Sequence, residues 1–327
     1  MNHANPNRTG ELARNVEIAL RFKQKQGTPE MPQVEKEVLA ANYDRVRGGN
    51  LHLANNARDQ GWPHPALYLR AAFPDRVDVI EQVIADGDRV GLLFRVTGTH
   101  TGNFFGIPAT GKRVDVYEVA MLRIVNGQMV EGWFMMDEAE LLRQLGARLP
   151  PRSDGKLIAP PLPQTDDAAT FIKKLEAQPA TTALTRNKLT AARTRLSTQT
   201  KDGLAASHHN LRFGFQHTRD FSKAHGDGEM NLNTAFAERC YGLDVLLAEG
   251  NQVWVRFNVN GTHTGPFCGI APTGAHMGVN AVAILNFDDQ GAITSSWTFA
   301  DELGVLLQLG KPDLLTSQNY QLKQIVN

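Results

Sequence analysis

The chain has 327 residues, 42% hydrophobic and 21% charged, with 34 basic residues balanced by 34 acidic ones. That is a globular composition long enough for two cores, and a net charge of zero argues against a nucleic-acid or polybasic membrane binder. Two cysteines, Cys240 and Cys268, are too few for a disulfide scaffold and fit a reducing compartment, so a cytoplasmic location is expected. The start, MNHANPNRTGELARN, lacks the apolar core of a secretory signal. No stretch approaches the roughly eighteen apolar residues of a membrane helix, so no membrane partner is expected.

In chain order, Leu12, Val16, Ala19, Leu20 and Phe22 are spaced as one helical face, predicting a helix over 11–26 that ends at Gly27. A second helix is predicted over 33–47, stopped by Gly48 and Gly49. A turn around Gly61, Pro63 and Pro65 leads to a short helix over 67–73. Strands are predicted over 77–85 and 89–99, joined at Asp86-Gly87-Asp88. A glycine-rich loop covers 100–111. Two more strands, 113–125 and 128–136, flank Asn126-Gly127, the strongest short hairpin signal. Asp137, with Glu140 three residues on, opens a last helix that stops at Gly146. Prolines 150, 151, 160, 161 and 163 mark a semi-extended linker. Helices are expected over 167–177 and 183–196, then strands over 241–248 and 252–262, with a last hairpin turn at 288–291. The alternation around Phe213 and Phe215 suggests a strand or edge segment.

The chain repeats itself. Eleven of sixteen positions in 96–111 (VTGTHTGNFFGIPATG) recur in 259–274 (VNGTHTGPFCGIAPTG), at an offset of 263 − 100 = 163. Trp133 and Trp297, Asp137 and Asp301, and two Gln-Leu-Gly tripeptides recur at 164, the longer last turn supplying the extra residue. A repeat of this length means two copies of one domain. The expected boundaries are 1–148, a linker over 149–164, and 165–327. Helices followed by a mainly antiparallel sheet and a closing helix give an α+β class.

The residues GTHTGNFFGIPATGK, GQMVEGWFMMDEAELLRQLG and FPDRVDVIEQVIADGDRV, with the copies of the first two, resemble the SnoaL-like polyketide cyclase family. The resemblance covers 77–146 and 243–310; the helical start of each copy matches poorly. It implies two tandem cone-shaped α+β barrels of the cystatin-like, nuclear transport factor 2-like kind, each with a pocket between curved sheet and helices. It also implies chemistry without metal or cofactor. Cyclases of this family place a His three residues before the Arg of an R-x-x-x-G strand end, and an Asp after the Trp. Together these move a proton at the carbon alpha to a carbonyl. The matching positions here are Ala120 and Phe134 in copy one, and Ala283 and Thr298 in copy two. Neither copy keeps the pair.

Other residues could take up the work. Glu118 lies two before Ala120 and so should share its strand face, where copy two has Ala281. His100 and His263 sit in the repeated loop, with ring nitrogens suited to proton exchange or to shaping the hairpin. Asp137 and Asp301 are either helix caps or pocket acids. Glu118, Asp137 and His100 are thus the catalytic candidates. Ala120, Trp133, Phe134, Met136, Arg95, His263, Ala283, Trp297, Thr298 and Asp301 are the pocket candidates. Arg256, on a central strand like Arg95, could bind an anion or form an internal ion pair. His208, His209, His217 and His225 match no established metal spacing, so no metal is expected. Cys268, which replaces Phe105 of copy one, is read as a small buried hydrophobe.

These residues point to a cofactor-free lyase, isomerase or cyclase with altered catalytic residues, acting on a small apolar or carbonyl-bearing molecule. The alternative is a non-catalytic ligand-binding protein or scaffold of the same fold. The two copies are expected to pair as an internal pseudo-dimer, with or without further homo-oligomerisation, and without nucleic acid.

Overall fold

The computed structural model describes residues 5, 8–47, 65–148, 166–177, 182–196, 204–213, 232–267 and 270–311. The linker 149–164, Gly48, Gly49, Gly61, Pro63, Phe215, His217, His225 and Cys268 lie outside them, as do the side chains of His208 and His209. The chain divides into two units, Met1–Ile158 and Ala159–Asn327. Among the described residues no helix is long and apolar enough to cross a membrane.

In the first unit, α1 (Gly10–Gln24) and α2 (Met31–Val38) precede β1 (Leu39–Arg47). After α3 (Pro65–Ala72) come β2 (Val77–Asp86), β3 (Arg89–Thr99), β4 (Arg113–Val125), β5 (Gln128–Met136) and α4 (Glu138–Leu145). The sheet runs β1-β5-β4-β3-β2; all pairs are antiparallel except β1–β5. The helix expected over 33–47 is therefore half a helix. It stops at Val38, and 39–47 becomes an edge strand. The sheet overrides the local helical spacing because the outer edge of β5 needs a hydrogen-bonding partner. Gly132 makes the docking possible: a Cβ there would overlap the Tyr43 hydroxyl and the Phe134 ring.

In the second unit, β6 (Asp166–Asp167), α5 (Ala168–Glu176), α6 (Ala183–Arg193), β7 (Leu204–Phe213) and α7 (Leu232–Ala235) lead to the main strands. These are β8 (Phe236–Glu249), β9 (Gln252–His263), β10 (His276–Phe287) and β11 (Ile293–Ala300), closed by α8 (Glu302–Gln308). The order is β6-β8-β9-β10-β11-β7, with β7 again parallel to its neighbour. β8 begins five residues earlier than the strand expected over 241–248.

The two sheets bend at matched places. Register shifts at Ile80/Gln82 and Arg123/Ile124 recur at Leu243/Val245 and Asn286/Phe287, each displaced by 163. A bulge bends its strand and raises the local twist, so these four shifts curve both sheets. The result is two tandem cone-shaped α+β units of the nuclear transport factor 2-like kind.

Candidate functional site

Strand register decides which side chains meet. Phe94 pairs with Glu118 and Glu118 with Met136; Leu92 pairs with Ala120 and Ala120 with Phe134. Directly opposed residues share a face, so these six, with Asp78 opposite Val96, form one surface. The helices cover it: Lys23, at the end of α1, holds its ammonium 3.9 Å from the Phe94 ring centroid and 5.4 Å from that of Phe134. This is the inner face of copy one.

It carries four charges that water scarcely reaches. Lys23 Nζ lies 2.8 Å from Asp78 Oδ2. Arg76 donates twice to the same carboxylate, Nε to Oδ1 at 2.8 Å and Nη2 to Oδ2 at 3.1 Å. Arg76 Nη2 is also 3.7 Å from Glu118 Oε2. The four side chains are at most 5% exposed. Two cations and two anions cancel, which lets such a group survive burial. Burial pushes Lys23 below the ordinary lysine value, against the opposing pull of Asp78 and Glu118. Burial alone would raise Asp78, but Arg76 and Lys23 hold its carboxyl below the ordinary value.

Lys23, Arg76 and Asp78 are functional candidates that the sequence reading passed over. The signal was there. Lys23 stands seven residues after Val16 on the apolar stripe, and Asp78 precedes Ile80 by two on one strand face.

The expected site set divides. Glu118, Ala120, Phe134 and Met136 meet on the inner face. Trp133 pairs with Met121 and Arg95 with Tyr117, both on the other face. There Arg95 is held by Glu81 (2.6 Å) and Asp115, and Tyr117 donates to Glu81 at 3.2 Å. Asp137 accepts from Glu140 N at 3.0 Å and Asp301 from Gly304 N at 2.9 Å, so both are helix N-caps.

His100 and His263 build the same loop twice. Each Nδ1 lies by a threonine hydroxyl, Thr110 at 3.1 Å and Thr273 at 3.0 Å, and accepts that residue's backbone N–H at 3.3 and 3.2 Å. An accepting Nδ1 leaves the proton on Nε2. The rings pack on Phe73 and Phe236 at 5.1 and 5.2 Å. Burial lowers the pKa of both. These neutral imidazoles latch the hairpin. Gly102 and Gly265 fit because a Cβ at either would collide with a backbone carbonyl, that of Ala71 or of Thr234.

The inner face of copy two differs. Leu243, Val253, Val255, Phe257, Ala281, Ala283 and Leu285 form an apolar cluster with Ile172, Ala191 and Ala192 of α5 and α6. Ala283 faces Thr298, while Trp297 faces Ile284 on the other side. Arg256 pairs with Val282 on that other side and is held by Asp244 at 2.6 Å. Among the described residues, no group of three or more His, Cys, Asp or Glu is placed to hold a metal ion.

The sequence model of the SnoaL-like polyketide cyclases matches residues 61–145 and 204–309, more than half of the chain. The chain belongs to that family. Solved structures similar to it include a protein from Jannaschia sp. CCS1 assigned as a SnoaL-like polyketide cyclase, 26% identical over 44% of this chain and 99% of that one, at a TM-score of 0.37. AclR from Streptomyces galilaeus, assigned as a hydroxylase, is 27% identical over 42% and 98%, at 0.34. IdmH from Streptomyces antibioticus, assigned as a polyketide cyclase, is 23% identical over 42% and 100%, at 0.35. No curated protein matches the chain.

Proposed function

We propose that this SnoaL-like chain is a cofactor-free lyase, isomerase or cyclase, and that copy one carries the chemistry. One observation supports this most: the inner face of copy one gathers Lys23, Arg76, Asp78 and Glu118, all at most 7% exposed. The strand positions matching the two carboxylates are Tyr241 (78 + 163) and Ala281 (118 + 163) in copy two.

The substrate is a small carbonyl-bearing molecule lying against Ala120, Phe134 and Met136. Glu118 takes a proton from the carbon alpha to the carbonyl. The C–H electron pair forms the C=C bond of the enolate and the carbonyl π pair moves onto oxygen, where the Lys23 ammonium and Arg76 guanidinium meet the developing negative charge. A lysine with lowered pKa gives up its proton more readily than a surface one, so Lys23 can protonate that oxygen. Reprotonation at a different carbon yields an isomer; attack of the enolate carbon on a second carbonyl closes a ring. Asp78 positions both cations. The protein works in the cytoplasm on a molecule that is neither a nucleic acid nor a membrane lipid.

The test is alpha-proton exchange in D2O, followed by proton NMR with 2-tetralone and related aryl ketones. Wild-type protein should speed exchange above buffer. Glu118→Gln should lose about 100-fold or more of that gain, the usual weight of a general base, while keeping its melting temperature within a few degrees. No exchange by wild type across the ketone panel, or equal exchange by folded Glu118→Gln, would overturn the proposal.

A non-catalytic binding role is favoured for copy two by its apolar inner face around Ala281 and Ala283.

A further inference from the structure

The inner face of copy one is sealed. Glu118 is 2% exposed, Ala120 0%, Phe134 1% and Met136 3%. A molecule reaches them only when part of the cover moves. α1 belongs to that cover: it packs on β2 and β3 and brings Lys23 against Phe94, Phe134 and Asp78. Among the described residues no backbone hydrogen bond ties 10–24 to the sheet, so side chains alone hold the helix down. Val16, Ala19 and Phe22 supply apolar contact. The buried Lys23–Asp78 pair fastens the last turn to β2. Asn15 opposes them. It stands on the stripe of Lys23, about two turns earlier. It is 1% exposed, and neither its Oδ1 nor its Nδ2 has a hydrogen-bond partner. An amide stripped of water without a partner disfavours the docked helix and is relieved when the helix lifts.

Both ends of α1 carry a pivot. Gly10 at its start and Gly27 just past its end are left-handed, at φ +57° and +76°, a region that glycine enters without strain. Thr9, at the N-cap, makes no side-chain cap bond. Outside the pivots the chain is pinned. Arg8 Nη2 donates to the Val83 carbonyl at 2.9 Å. The backbone at Gly27 lies so close to Arg76 that a Cβ there would come within 2.6 Å of its carbonyl oxygen. The matching helix of copy two is built differently. Asn187, Ala191 and Arg195 answer Asn15, Ala19 and Lys23, since 187 − 15, 191 − 19 and 195 − 23 all equal 172. Arg195 lies over Phe257 at 4.6 Å, as Lys23 lies over Phe94 at 3.9 Å. Yet α6 opens at Thr182, whose hydroxyl accepts from Thr185 N at 3.2 Å, and closes at Thr194, with no left-handed residue at either end.

We infer that α1 is a lid over the inner face of copy one, swinging between Gly10 and Gly27 with the Lys23–Asp78 pair as its latch. The open position admits the substrate to Glu118. The closed one shuts out water and brings the Lys23 ammonium to the reacting oxygen. The service of the lid to catalysis rests on the chemistry proposed above; its motion does not, and is measured without substrate.

Native-state hydrogen exchange on the full chain reads that motion. Amides of 14–24 should exchange through an opening at least about 100-fold more populated than the one that exposes β3 and β4. Lys23→Met removes the latch and should speed α1 exchange at least about tenfold. Asn15→Leu, apolar and of similar size, should slow it about tenfold. By closing the way to Glu118 it should also slow 2-tetralone exchange by a similar factor. If either variant fails to melt cooperatively, the wild-type comparison still decides. Amides of α1 as protected as those of β3 and β4, or folded variants whose α1 exchanges as in wild type, would overturn the lid. Ketone exchange undiminished in an Asn15→Leu protein whose α1 has slowed would overturn α1 as the route of entry. Opening of α1 as expected, with no ketone exchange by wild type, would strike the proposed chemistry and leave the lid standing.

Discussion

At the scale of single residues, burial lowers the pKa of two histidines and one lysine. His100 and His263 are held below the ordinary value of 6.5 by burial. The folded chain then binds fewer protons than the unfolded chain as pH drops from 6.5 towards the lowered value. Their stabilising contribution is complete above the unfolded pKa and is lost as pH falls through the folded one. The melting temperature should fall between about pH 7 and pH 5, and His100→Asn combined with His263→Asn should flatten that slope. An unchanged slope in the double variant would count against the latch. The loop was legible as architecture in the sequence because it is written twice. Its role as a latch was not, because which nitrogen accepts from Thr110 depends on coordinates. Lys23 escaped notice for another reason: a lysine on an apolar stripe usually snorkels to water. Here Asp78 holds it inside.

Among the elements, α4 and β1 show the two outcomes of reading local signals. The pattern Asp137 to Glu140 predicts an N-terminus, and the structure has one, with Gly146 left-handed at the C-cap. Capping and catalysis by Asp137 separate cleanly by substitution. Asparagine caps as well as aspartate does, whereas alanine costs about 0.5–2 kcal/mol. Asp137→Asn should therefore keep both stability and ketone exchange, and Asp137→Ala should lose stability alone. Loss of exchange in the folded Asn variant would return Asp137 to the catalytic set. β1 was not legible, because its strand state comes from β5, far along the chain, and from the notch at Gly132. Gly132→Val should undock β1, seen as faster hydrogen exchange across 39–47 with β3 and β4 still protected. Uniform protection in that variant would refute the notch.

For the whole molecule, the repeat disclosed two domains of one fold, and the matched bulges bear out how far they were copied. Divergence of the inner faces was half visible. Ala281 in the place of Glu118 could be read from the offset of 163, but the correspondence of Lys23 with Arg195 could not, because the helical starts align at 195 − 23 = 172 instead. The central proposal is that copy one is an acid–base site whose proton donor is Lys23. The deciding measurement is the pH profile of 2-tetralone exchange, wild type beside Lys23→Met. An ammonium donor is lost on deprotonation, so wild-type exchange, net of buffer, should fall as pH rises through a value below the ordinary 10.5 of lysine. Lys23→Met should lack that limb and be slower at neutral pH. A wild-type profile with no descending limb up to pH 10.5, or one that Lys23→Met reproduces, would contradict it.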